Sequence, residues 1–378
     1  MIRTIFPFAM FLHGLIHLLG FVKEWELAQV KQLTGETLHT ISLLGGLSKI
    51  IGILWVIACL LFILSAVTYL LRKEWWWMVA AVAIVVSQIM IIIYWKEARF
   101  GTIANFIILI ACVLSYGSWS FDRMVNDELN SFLPAKKTEK RIVTAEMIDE
   151  LPPVVQRWLK RSNIVGKEII QIAHQKQSGE MKTKPEGSWM SVDAEQYTLT
   201  NPPGFIWIAD VKAAPFLHLS GRDKYENGRG HMLIKLFSLI PVVDAKGKEI
   251  DQGALLRYLG EIVWVPSAAL SDYIAWEEMD STTARATMSY GGITASGIFK
   301  FDENGDFVSF EADRYYYRKE GSTLEKWVIS AKKNYRKFEG IRVPVTLSVT
   351  WEFETGDFTW YKLEIREINY NLQRKEAK

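Results

Sequence analysis

The chain has 378 residues, 44 Lys and Arg, 42 Asp and Glu, and a formal net charge of +2. That is length enough for two units with separate cores. The average hides two unlike halves: residues 1–120 carry eight basic and five acidic side chains, and the remainder carries 36 and 37. A second half so balanced has no electrostatic footprint for nucleic acid, and with both cysteines, Cys59 and Cys112, in the first half it has no disulfide framework of its own.

Four apolar runs come first, at 4–22, 50–71, 76–95 and 102–119. A helix needs about 20 such residues to cross the hydrocarbon core, so each is expected to span. Arg3 precedes the first run as in a signal peptide, but Phe21-Val22-Lys23 is no small-residue cleavage site, and the run is read as retained. Trp75, Trp76 and Trp77 at one end of the third run, and Tyr94 and Trp95 at the other, suit the two interfaces. Both termini then share a side with Arg3, Arg72, Lys73, Arg123, Lys136 and Lys137, opposite Lys23, Lys31, Lys49, Lys96 and Arg99. Six charges against five leave the sidedness of an integral, multi-pass membrane protein undetermined.

His13 and His17 in FLHGLIHLLGF lie four apart and share a helix face. They could begin a metal, haem or proton site. The other spans offer only Ser65, Thr68, Ser87, Gln88, Asn105 and Ser115 as polar company, and His39 lies in a loop. Interhelical hydrogen bonding, with Gly14 allowing close approach, is the expectation, and no metal or cofactor is assigned.

Residues 121–143, with Pro134 and the run KKTEKR, read as a polar linker, and 144–378 as a β-rich domain. Thr144 can cap a short helix, and Pro152 and Pro153 suit the first turn of a second, VVQRWLKR. After about Lys167 the pattern has period two, as in VTLSVTWEF, with ten or eleven runs separated by turns such as KPEG, NPPG and YENG. That spacing predicts a largely antiparallel sheet or open barrel with few covering helices, an α+β fold overall. Asp302, Asn304 and Asp306 imitate a calcium loop, but Gly305 falls one place early and no closing glutamate follows, so DENGD is expected to be a hairpin turn. In GFIWIA, at 204–209, both faces are apolar, which predicts a strand covered on both sides. Eight of the fifteen tryptophans fall in this half, as core filling or as the lining of an apolar site.

The stretch DQGALLRYLGEIVWVP, 251–266, interrupts the strands with helical spacing. Asp251 can cap it, Leu255, Tyr258, Leu259 and Ile262 form its core face, and Pro266 limits it. Arg257, Glu261 and Trp264 are then expected to project the other way, either as a solvated pair beside an anchoring ring or as the mouth of a site. There the planar fork of Arg257 would hold a carboxylate or phosphate head group.

The succession from GRGHMLIKLF through RYLGEIVWVP to WEEMDSTTARATMSYGG resembles an uncharacterised bacterial domain family, over roughly 145–372, and RYLxExxWxP is the most specific part of the likeness. The HGLIHLLGF start is similar to that of membrane-bearing members. More distantly the β pattern resembles the half-barrel of Lol-type lipoprotein carriers, which implies a curved sheet able to take a lipid. Three functions compete. A membrane-tethered module would bind a membrane lipid, lipoprotein or other apolar ligand between sheet and helix, with Arg257, Glu261, Trp264, Trp207 and Trp276 as candidate contacts. A structural or interaction protein would have a filled core. An enzyme acting on a lipid-like substrate would use Glu261 as general acid or base and Arg257 as stabiliser. With no nucleophile elbow, phosphate loop or zinc motif in this half, the binding module is preferred and no catalytic residue is assigned. Oligomeric state is left open.

Overall fold

A computed structural model describes residues 2–27, 47–134, 140–318 and 321–372. His39, Lys31 and residues 135–139 of the expected linker lie outside the described residues. The chain divides into two compact units, Met1–Asp122 and Arg123–Lys378.

In the first unit the apolar runs form α1 (Ile2–Glu24), α2 (Leu47–Leu70), α3 (Trp76–Ile93) and, after the single turn α4 (Trp95–Ala98), α5 (Gly101–Phe132). Four of these helices are long and apolar enough to cross a membrane. Each keeps apolar side chains exposed, among them Phe8, Leu60, Val85 and Phe106. Water penalises such a band and hydrocarbon does not. A Cβ at Gly14 would lie 2.9 Å from Phe62 Cβ and 3.2 Å from the Cys59 carbonyl oxygen, so α1 and α2 approach closely there. His17 donates through Nδ1 to the His13 carbonyl at 2.8 Å, and its Nε2 accepts from Ser87 of α3 at 2.7 Å. His13 donates through Nε2 to Asn105 of α5 at 3.0 Å. Both imidazoles are thus engaged with polar groups of neighbouring helices, which in an apolar interior need partners.

The second unit starts inside α5. Residues expected to begin the polar linker are helix as far as Phe132, because Val125, Leu129 and Phe132 still recur at helical spacing. Two short helices follow, α6 (Ala145–Asp149) and α7 (Pro153–Arg161), then β1 (Ile172–Met181), β2 (Met190–Thr200), β3 (Pro203–Ala214), β4 (Leu217–Glu226), β5 (Arg229–Leu236) and β6 (Ile240–Lys246). Helix α8 (Lys248–Glu261) leads through two 3-10 turns to β7 (Ile274–Asp280), β8 (Thr283–Tyr290), β9 (Ile293–Phe301), β10 (Phe307–Arg318) and β11 (Gly321–Ala331). The chain closes with β12 (Tyr335–Phe338), β13 (Ile341–Pro344), β14 (Thr346–Phe353) and β15 (Gly356–Tyr370).

Thirteen strands make one antiparallel sheet in the order β6-β5-β4-β3-β2-β1-β15-β14-β11-β10-β9-β8-β7, and β12 pairs with β13 apart from it. The fold is the expected α+β half-barrel, with more strands than the ten or eleven runs that alternate clearly. Its curl is visible where two distant hairpins meet. A Cβ at Gly228, in the β4–β5 turn, would lie 2.5 Å from Gly291 Cα in the β8–β9 turn. Only glycine tolerates that approach, and both residues have positive φ, 76° and 62°. Helix α8 lies across the inner face and packs on β3, β4, β5 and β6 and on β8, β9 and β10. The DENGD stretch is the expected turn: Asp302 Oδ1 accepts from the backbone N–H groups of Asn304 and Asp306, and the Asp306 carboxylate takes Arg161 at 3.1 Å and Arg342.

The outer face explains why GFIWIA is apolar on both sides. Phe205 faces the core under α8, while Ile206 joins Tyr197 and Leu199 against Phe132 and Leu133 at the end of α5. Beside them Glu128 of α5 forms ion pairs with buried Arg222 at 2.9 Å and Lys224 at 3.3 Å. Arg222 in turn donates to His231 Nδ1 at 2.9 Å and to its carbonyl at 2.6 Å, and His231 Nε2 donates to Asp244 at 2.7 Å. Burial lowers the His231 pKa, the hydrogen bond to Asp244 opposes this, and the Arg222 charge adds to the fall. The unfolded chain therefore takes up its proton first, near about pH 6.5. Stability from this ring is present above that pH and is lost as pH falls toward the folded value. We expect the unfolding midpoint of the full chain to drop on acidification from about pH 7 to about pH 5, and less steeply in His231→Asn. Equal slopes for the two proteins would contradict this account.

Candidate functional site

Strand register brings one row of side chains to the inner face beneath α8. Gln175 of β1 stands opposite Gln196 of β2, Gln196 opposite Trp207 of β3, and Trp207 opposite Asp223 of β4. Opposed residues in antiparallel strands share a face, so the row is continuous. Helix α8 lowers Arg257 and Glu261 onto it.

Arg257 is the hub. Its Nη1 donates to Asp223 at 2.7 Å, Nη2 to Gln196 Oε1 at 2.9 Å, and Nε to Glu261 at 2.9 Å. The second Glu261 oxygen accepts from Gln196 Nε2 at 2.7 Å. The guanidinium also lies 4.6 Å from the centre of the Phe205 ring and 5.1 Å from that of Trp207. Burial works against the Arg257 charge, but Glu261 and Asp223 more than offset it and hold its pKa above the ordinary arginine value. The side chains of Arg257, Asp223 and Glu261 are 14, 7 and 13% exposed. This is a desolvated ion cluster, not the solvated surface pair that the i, i+4 spacing also allowed.

A second arginine reaches the same face from β10. Phe310, Ala312, Arg314 and Tyr316 alternate inward there. The Arg314 guanidinium lies 4.7 Å from the Trp327 ring centre and 5.9 Å from that of Trp351, two residues paired across β11 and β14. Helix α8 passes close above it, since a Cβ at Gly253 would come within 2.9 Å of Arg314 Nε. Burial pushes the Arg314 pKa down to about 10; Asp223 pulls the other way, and the Arg257 charge adds to the fall. It remains cationic at neutral pH. Trp207 and Tyr361 close the row on the other side, both donating toward Gln177 Oε1, at 3.3 and 3.4 Å.

Arg257, Glu261 and Trp207 of the five expected contacts therefore converge. Trp264 and Trp276 do not. Helix α8 ends at Glu261, and Ile262–Trp264 tightens into a 3-10 turn that swings Trp264 into the core, where its indole N–H donates to the Pro344 carbonyl at 3.0 Å. Trp276 of β7 donates to the Ala269 carbonyl at 3.0 Å and packs with Trp158 and Phe299. Asp251 is not the cap. The cap position is Gly247, four residues earlier, and the buried Asp251 carboxylate takes the Gly230 N–H at 2.7 Å and Arg229 at 2.9 Å. Asp223, Gln196, Gln177 and Arg314 escaped the sequence reading, although alternation alone would have put Asp223 on the face of Tyr225 and Arg314 on that of Phe310. Among the described residues no group of His, Cys, Asp and Glu is arranged to hold a metal ion.

Residues 141–363 match the model of a Family of unknown function (DUF6544), and the chain belongs to that family. No curated protein matches it. Among solved structures it is similar to a domain named for outer membrane lipoprotein sorting from Vibrio parahaemolyticus, at 10% identity and a TM-score of 0.31, covering 61% of this chain and 97% of that one. It is also similar to a DUF1329 family protein from Desulfovibrio piger ATCC 29098, at 10% identity and a TM-score of 0.31, covering 63% and 97%.

Proposed function

We propose that this member of the DUF6544 family is a membrane-tethered binding module. Its four long apolar helices cross a bilayer, and its half-barrel takes a lipid, a lipoprotein acyl chain or a similar apolar ligand between the inner sheet face and α8. The observation that carries this reading is the desolvated cluster of Arg257, Asp223, Glu261 and Gln196 among the rings of Phe205, Trp207 and Tyr361. A core that only had to be filled would be at least as stable with apolar side chains there, because ion pairs lose hydration when buried. Aromatic walls with a few convergent polar groups are what a small-molecule site requires. Glu261, with both oxygens accepting hydrogen bonds, fixes Arg257 in place.

The test places p-benzoylphenylalanine at Trp207 in the full chain and irradiates intact cells. Mass spectrometry is expected to find an acyl-chain adduct at that position, and none when the photoreactive residue replaces Tyr317, which is 81% exposed on β10. Absence of any adduct at position 207 in folded protein would end the binding reading.

A further inference from the structure

The head-group role expected of Arg257 does not suit its surroundings, since each of its three nitrogens already donates to a protein acceptor. Arg314 differs. Among the described residues its guanidinium has no ion pair and no hydrogen bond; it lies over the rings of Trp327 and Trp351, with Gly253 of α8 close to Nε. Trp327 is itself 2% exposed, and among the described residues its buried indole N–H has no partner. Ring faces hold a guanidinium in position without using its N–H donors, and those donors match the oxygens of a carboxylate or phosphate. The Arg257 cluster beside it makes its hydrogen bonds without Arg314. Asp223 and Glu261 act on the Arg314 charge from a distance without an ion pair or hydrogen bond to it, so its donors are open to an anionic ligand.

We propose that Arg314, stacked on Trp327 and Trp351, receives the head group of the ligand, and that the ligand is an acidic amphiphile: an acyl chain ending in a carboxylate or phosphate. This rests on the binding reading above and narrows it. The Arg257 cluster is then the rigid support of the site, and Arg314 its selective element.

The experiment measures binding of tritiated oleate and tritiated oleyl alcohol to the full chain in phosphatidylcholine nanodiscs, with empty nanodiscs subtracted. The wild type is expected to prefer oleate by about tenfold or more, the scale of one charge-assisted contact. Arg314→Gln should lose that preference, and Arg314→Lys should retain part of it. An unfolding midpoint followed through the β-sheet signal checks separately that each variant is folded. Oleoyl lysophosphatidate should compete with oleate, and inorganic phosphate should not. Equal wild-type binding of oleate and oleyl alcohol overturns the acidic head group and leaves the apolar site standing. Full preference retained in Arg314→Gln, or displacement of oleate by inorganic phosphate, overturns the proposal as well. Binding of neither compound to wild type removes the underlying reading and this one with it.

Discussion

Arg257→Ala is expected to destabilise the second unit by about 3–5 kcal/mol, the range for removing one partner from a buried ion pair. Two carboxylates, Asp223 and Glu261, would be left in a desolvated site, and Gln196 would lose the donor to its carbonyl. The stacked contacts with Phe205 and Trp207 go at the same time. Most of the loss comes from the stranded charges, so it should shrink when they are removed too. The triple variant Arg257→Met, Asp223→Asn, Glu261→Gln should recover more than half of it. Denaturant unfolding of the full chain, followed through the β-sheet signal, makes the comparison. A single variant within about 1 kcal/mol of wild type would mean that the pair is solvated, as surface pairs are.

Trp264→Ala should cost a similar amount, about 3–5 kcal/mol, for a different reason. The ring is 3% exposed within the main core, its N–H bonds to the Pro344 carbonyl, and the Trp264 carbonyl accepts from Tyr370 at 2.9 Å. Truncation leaves a cavity and an unpartnered Pro344 carbonyl, and the loss is one of packing. Trp207→Ala is the useful contrast. That ring is only partly buried, so its removal should cost clearly less stability while weakening oleate binding. The reverse outcome, with Trp264→Ala stable and deficient in binding, would restore Trp264 to the site and displace Trp207 from it.

Much of this architecture was legible along the chain, because the signals involved are local. Four apolar runs near 20 residues set the four long helices, since hydrophobic length is a property of consecutive residues. Period-two alternation located the sheet, and Asn227-Gly228 and DENGD located hairpins. Ten or eleven alternating runs fall short of the thirteen strands of the sheet, and at its edge β6 leaves Ile240, Pro241 and Val242 all exposed, so no buried face imposes alternation there. The Arg257–Glu261 pair could be read because both residues lie on one helix, four apart.

What that pair faces was decided elsewhere. Its partners Asp223 and Gln196 lie 34 and 61 residues away from Arg257, on strands whose register no spacing within 251–264 can encode. Trp264 left the expected face because the helix tightens after Glu261, a change made where Pro344 supplies an acceptor 80 residues downstream. The apolar outer face of β3 predicted a cover without saying which segment supplies it, and the end of α5, which reads as the start of a linker, does so through Phe132 and Leu133. Periodicity assigns a side chain to a face. Only the curl of thirteen strands around α8 determines which distant side chain, charged or aromatic, meets it there.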